Sequence, residues 1–191
     1  MCSLWLLTRR LSARPPALPP RAMLEDALRL HQAGRLEDAV AAYQKLLAVR
    51  PDQADAHNNL GAALSALGRV EEAVTHYQRT VSLRPDSTDA RSNLAVALVA
   101  TGKLGEALTQ YDRVLALQPD HAEAHFNRAA LKAFHEGDAD ISALEKLASR
   151  PGLPPSRELL IRFALAKALE ESGDYARAFR HMKRGNELKR A

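Results

Sequence analysis

Three asparagines, Asn59, Asn93 and Asn127, and three carboxylates, Asp55, Asp89 and Glu123, each recur at a spacing of 34 residues. In every pair the acid precedes the amide by four residues, which puts both groups on one face of a helix. An amide offers a donor and an acceptor together, so a row of asparagines can bond the main chain of an extended peptide whatever its side chains. A parallel row of carboxylates favours a partner rich in Lys, Arg or free hydroxyls. A plainer reading stays open beside this one: Asn and Asp near helix starts also serve local capping, and their repetition follows from duplication of one unit. Asn58 adds polarity in one unit only.

Other chemistry has less support. The sequence contains no Ser, His and acid grouping, no Gly-x-Ser-x-Gly, no Gly-x-x-x-x-Gly-Lys and no His-Glu-x-x-His, so it points to no catalytic residue and no cofactor. His121 and His125 flank Glu123, but His121 falls at a helix boundary and no third ligand follows at a workable spacing, so no metal is assigned. His57 and His125 share a position usually given to packing.

The elements that hold the two rows follow from the same period. Gly34, Gly68 and Gly102 obey it, as do Ala39, Ala73 and Ala107, Tyr43, Tyr77 and Tyr111, and Pro51, Pro85 and Pro119. In the second unit Ala56, Leu60, Ala63, Leu64 and Leu67 fall at helical steps, and Gly68 stands where a helix takes a left-handed C-terminal residue. Val70, Ala73, Val74, Tyr77 and Val81 mark a second helix, which Pro85 ends. Small residues at Gly61, Ala73, Ala95 and Ala107 allow close approach, and each tyrosine fills the remaining gap. Asp52, Asp86 and Asp120, one after each proline, are expected to cap the helix that follows.

This pattern resembles the tetratricopeptide repeat over residues 20–121: a small residue at position 8, alanine at 20, an aromatic at 24 and proline at 32. The resemblance implies an all-α fold, a right-handed solenoid of about five antiparallel helix pairs, with a protein or peptide partner bound along the concave face. The bulky residue of position 4 is replaced by His57, Arg91 or His125, a departure expected to loosen helix contacts. The chain divides into a basic extension at 1–22, expected to be disordered, three regular units at 23–121, an irregular unit at 122–155 and a last helix pair at 156–191. The irregular unit ends in Pro151-Gly152-Leu153-Pro154-Pro155. The last pair, with Gly173, Tyr175 and Ala178 in register and Met182 at the aromatic position, caps the stack or leads to a further domain.

Two narrower resemblances bear on function. The amide and acid rows resemble those in the superhelix of O-GlcNAc transferase. They do not resemble the clamp for chaperone tails, which has lysines and an arginine where this chain has Leu24, Asp89 and Asn93. Residues 126–190 are similar to the C-terminal repeats of bacterial sulfotransferases linked to such repeats, through Leu131-Lys132, Phe134, Gly137-Asp138, Leu153-Pro154-Pro155, Gly173-Asp174-Tyr175 and Gly185-Asn186. In that family the segment precedes a catalytic domain. Two functions are therefore expected as rivals: a binding module, or the amino-terminal arm of a sulfotransferase.

Composition supports a folded body in water, with 46% hydrophobic and 26% charged residues among 191. Cys2 is the single cysteine, which excludes an internal disulfide framework. The net charge of +4 is unevenly spread: residues 1–22 carry +4, residues 177–191 carry +5 and the middle carries -5. Basic ends around an acidic middle are poor evidence for nucleic acid, which is not expected as a partner. Leu4-Trp5-Leu6-Leu7 is too short to span a membrane, Pro15-Pro16 and Pro19-Pro20 oppose an amphipathic helix, and a cytoplasmic chain with no membrane partner is expected. Arg177, Arg180, Lys183, Arg184, Lys189 and Arg190 form either a solvated helix face or a docking face for an adjacent domain or acidic partner.

Overall fold

A computed structural model describes residues 19–190, and among these residues there are ten α-helices and no strand. They are α1 (Pro20–Gln32), α2 (Leu36–Val49), α3 (Ala54–Ala66), α4 (Val70–Leu83), α5 (Thr88–Ala100), α6 (Leu104–Leu117), α7 (Ala122–Leu131), α8 (Ala139–Ala148), α9 (Pro155–Glu171) and α10 (Tyr175–Arg190). Pro20, Arg21 and Ala22 belong to α1, not to the extension in which the sequence places them. Pro20 opens the helix, where its fixed φ is suited and its missing N–H costs nothing. Residues 1–18 of that extension lie outside the described residues.

The hairpins share one turn. At Gly34, Gly68 and Gly102 φ lies between 73° and 77°, the left-handed region open to glycine. The next residue reaches back over the turn: Arg35 donates to the Leu30 carbonyl at 3.0 Å, Arg69 to Leu64 at 2.9 Å and Lys103 to Leu98 at 2.9 Å. These bonds satisfy carbonyls that the helix end would otherwise orphan. Asp174 donating to Leu169 at 2.8 Å repeats the device between α9 and α10.

Within each pair the second helix packs into the first through an alanine and a tyrosine. Ala39, Ala73 and Ala107 are fully buried, and Tyr43, Tyr77 and Tyr111 are almost wholly so. Gly61 lies so close to Tyr77 that a Cβ there would meet the ring at 2.8 Å. Successive first helices also touch, α1 on α3 and α3 on α5, while successive second helices make no comparable contact. The stack therefore curves with α1, α3, α5 and α7 on its inner side.

Two expectations about the junctions are corrected. Asp52 and Asp120 do not cap helices; they pair with Arg79 and, at 2.8 Å, Arg150. The caps come one residue later, where Ser87 and His121 accept from the Ala90 and Ala124 amides. At position 4 the departure tightens the junction. His57 Nε2 donates to the Pro51 carbonyl at 2.9 Å, Arg91 Nε to Pro85 at 2.8 Å and His125 Nε2 to Pro119 at 2.9 Å. Each donor bonds a carbonyl six residues back, in the linker that the proline opens.

The fourth unit is irregular because α7 ends early. Its C-cap residue, Lys132, is extended and its ammonium holds Asp138 at 2.8 Å together with Asp140. Asp138 in turn caps α8. Arg128 bonds Asp112 and Asp140, and the Phe134 amide donates to Glu171 at 3.1 Å. With α7 shortened, it packs on α9, as does α8.

Ala73→Asp buries a charge with no partner between α3 and α4, and is expected to cost about 3–5 kcal/mol. A melt followed by circular dichroism should show a midpoint many degrees lower, with exposed Gln78→Glu as the unaffected control.

Candidate peptide-binding face

The three asparagines lie on the first helices α3, α5 and α7, each in a different setting. Asn93 Nδ2 donates to Asn58 Oδ1 at 3.0 Å, joining α5 to α3 where these first helices touch. Asn59 is half-buried on α3, and its side chain makes no hydrogen bond among the described residues. Asn127 borders a pocket of about 170 Å³ between α5 and α7, together with Val96, Val99, Tyr111, Ala130 and Leu131. Burial raises the Tyr111 phenol pKa, and the adjoining Asn127 side chain offsets part of that rise.

The acidic row is not uniform. Asp55 takes both ends of the Arg84 guanidinium, at 2.5 and 2.8 Å, so its charge is neutralised by a bidentate pair. Asp89 is exposed and has no ion pair among the described residues, because Gln118 stands one period after Arg84. Glu123 is exposed and lies 3.3 Å from His121 Nδ1.

Sequence reasoning misses the apolar half of this face. Val96 is 54% exposed and Phe126 37%, large for residues in first helices whose neighbours are buried. Phe126 stands at the repeat position of Asn58, so two units offer different groups at one place. Asn58 itself reads in the sequence as a single polar residue. Its bond to Asn93 spans an offset of 35, which a search at 34 does not pair.

Elsewhere the titratable groups have structural tasks. Burial pushes the Tyr43 phenol up to about 12, leaving it a neutral packing ring. A carbonyl only accepts, so His57 Nε2 carries the proton that bonds Pro51, and its Nδ1 shares a hydrogen bond with His76 Nδ1 at 3.0 Å. Burial, then the neighbouring His57, lowers the His76 pKa, with Glu72 opposing. Burial likewise lowers His125 and His181; Arg162 donates to His181 Nδ1 at 3.0 Å. His121 and His125 serve the α7 cap and the Pro119 carbonyl. No group of three or more His, Cys, Asp or Glu able to hold a metal ion is found among the described residues.

Paired helices stacked into a curve with a polar and apolar inner face define the class of helical-repeat interaction scaffolds. Tetratricopeptide repeat profiles match residues 27–68, 52–120 and 92–154. The chain belongs to the tetratricopeptide repeat family. Among solved structures it is similar to the MamA protein, at 22% identity and a TM-score of 0.73, covering 90% of this chain and 92% of that one. It is similar to YrrB, described as a repeat protein with an unusual peptide-binding site, at 18% identity and a TM-score of 0.71, covering 90% and 87%. The first repeat domain of Spaghetti (RPAP3), solved with the HSP90 peptide SRMEEVD, matches at 26% identity and a TM-score of 0.56, covering 59% and 89%. No curated protein matches the sequence. No helix among the described residues is long and apolar enough to cross a membrane.

The three depressed histidines set a pH dependence. Above the ordinary imidazole pKa of about 6.5 the rings are neutral in folded and unfolded chains alike. As pH falls below that value the unfolded chain takes up protons that the folded chain resists, so stability decreases. The thermal midpoint should fall between pH 7.5 and 5.5, and His76→Gln should make that fall shallower; equal slopes for the two proteins would rule the linkage out.

Proposed function

We propose that this chain is a binding scaffold that holds an extended peptide or protein segment along its inner face. Asn59, Asn93 and Asn127 bond the main chain of that segment. The pocket walled by Val96, Val99, Ala130 and Leu131 takes one apolar side chain. Asp89 and Glu123 favour a cationic residue nearby, while Asp55, held by Arg84, contributes shape more than charge. The observation that carries the reading is that Asn127 borders the apolar pocket, so one short segment can engage both at once. The repeat domain of Spaghetti, solved bound to a peptide, supports a peptide ligand for this fold.

A second reading, an amino-terminal arm of a sulfotransferase, rests on the resemblance of residues 126–190 alone. It shares the same repeats and adds a catalytic domain elsewhere.

Peptides selected from a random display library against the wild-type chain are expected to share an apolar residue with Lys or Arg close by. Changing Asn59, Asn93 and Asn127 together to Ala should weaken such a peptide at least tenfold, about 1.4 kcal/mol, with the helical signal kept and the melt lowered only by the loss of the bond between Asn93 and Asn58. Undiminished affinity would overturn the proposed role of the amides.

A further inference from the structure

Helix α10 leaves uncovered the positions that α2, α4 and α6 turn toward the next unit. Counted from the glycine of the inter-helix turn, Gly34, Gly68 or Gly102, the sixth and ninth residues are Val40 and Tyr43, Val74 and Tyr77, and Leu108 and Tyr111. The tyrosines and valines among them are at most 5% exposed and Leu108 is half-buried: the tyrosines lie against the first helix of their own pair, and α2, α4 and α6 also pack on the first helix of the next unit, α3, α5 and α7. From Gly173 the same steps reach Phe179 and Met182, which are 70% and 41% exposed, beside Tyr175 at 70%. At 100° per residue these three side chains form one stripe on α10. The buried residues Ala178 and Gly185 border the stripe along the edge where α10 meets α9.

The charges around the stripe narrow what can cover it. α10 carries six Lys and Arg side chains and one acid, Glu187. Arg177 pairs with Glu145 and Asp174, and Arg184 with Glu158 and Glu187. Arg180, Lys183, Lys189 and Arg190 have no ion pair among the described residues. Lys183, Lys189 and Arg190 fall within about 75° of the centre of the stripe, a helix-wheel angle from 3.6 residues per turn.

A second copy is a poor occupant. Two α10 helices face to face would oppose two strongly basic surfaces. A head-to-tail contact would seat α1 on the stripe. Yet Ala22, Asp26 and Arg29 hold the positions at which α3 presents Ala56, Leu60 and Ala63, all fully buried. Asp26 and Arg29 form an exposed ion pair at 2.6 Å, which such a contact would strip of water.

We propose that the Tyr175, Phe179 and Met182 face of α10 docks an amphipathic helix of acidic character, seated as the first helix of one more unit. Its small and branched apolar residues cover the stripe, and its flanking Glu or Asp meet Lys183, Lys189 and Arg190. This site is separate from the inner face and does not depend on what binds there.

The test uses the full chain, isotopically labelled, and a synthetic helical peptide the length of α3. The peptide has Ala and Leu spaced as Ala56, Leu60, Ala63 and Leu64, with Glu on both flanks; a control has Lys in place of every Glu. The acidic peptide is expected to bind, to shift the resonances of Tyr175, Phe179 and Lys183, and to weaken several-fold as salt rises from about 50 to about 300 mM. Phe179→Ser should weaken it about tenfold without altering the helical signal, and the triple Asn variant should leave it unchanged. Four results would overturn the proposal: equal binding of the Lys peptide, no binding of either, sedimentation showing self-association that Phe179→Ser abolishes, or a Phe179 ring shielded from a solvent relaxation probe in the free chain.

Discussion

The contact between a tyrosine ring and a small residue is what the rest of the molecule depends on. Tyr77 lies against Gly61 with no room for even a methyl group, and Tyr43 and Tyr111 are buried at the same place in their own pairs. A ring that fills the space between two helices sets their separation, and Ala39, Ala73 and Ala107 let the backbones close on it. Once that separation is set, the bonds over the glycine turns fix how each second helix leaves the first. The first helices then approach one another and the second helices splay outward. The inner face is the product of this packing.

The junctions between units are held at one geometric point, by a histidine in two repeats and an arginine in the third. His57, Arg91 and His125 are chemically unlike the bulky apolar residue of the family pattern, yet each directs an N–H to the carbonyl of the preceding proline. Proline cannot donate, and its carbonyl lies at a break in the helical ladder where no backbone partner is in reach. A polar side chain there satisfies the carbonyl and ties the linker to the next helix. At the fourth unit Arg128 and Lys132 take over, gathering Asp112, Asp138 and Asp140 into a part-buried charge network that replaces the usual hairpin. Its members all have partners, which is the condition for ionic groups at partial burial.

The two ends of the stack are unlike. Asp26 and Arg29 make the outer face of α1 polar where inner first helices are apolar. Tyr175, Phe179 and Met182 leave α10 apolar at the positions that pack against a following helix. The first helices α5 and α7 are mixed in another way: they carry Asn93 and Asn127 together with the exposed Val96 and Phe126.

The sequence alone determined the helices, their turns and their pairing in the first three units, because these rest on residues close in the chain. A period of 34, glycines at the turns and tyrosines opposite small residues are local signals, and each leaves one choice of backbone. Which side chain meets which across units was decided only in the tertiary structure. Asp55 could be read as one member of an acidic row, but Arg84, 29 residues away, neutralises it. Asn93 was legible as a row member; its bond to Asn58 was not, because it crosses between units off the period. Asp52 and Asp120 were suited to capping by position and were drawn instead to arginines that folding brings within reach. The exposed stripe on α10 belongs to the same group, since exposure depends on what packs beside a residue and not on its own type. Spacing along a chain specifies backbone geometry, while partner choice among polar side chains depends on distances that exist only after the helices have stacked.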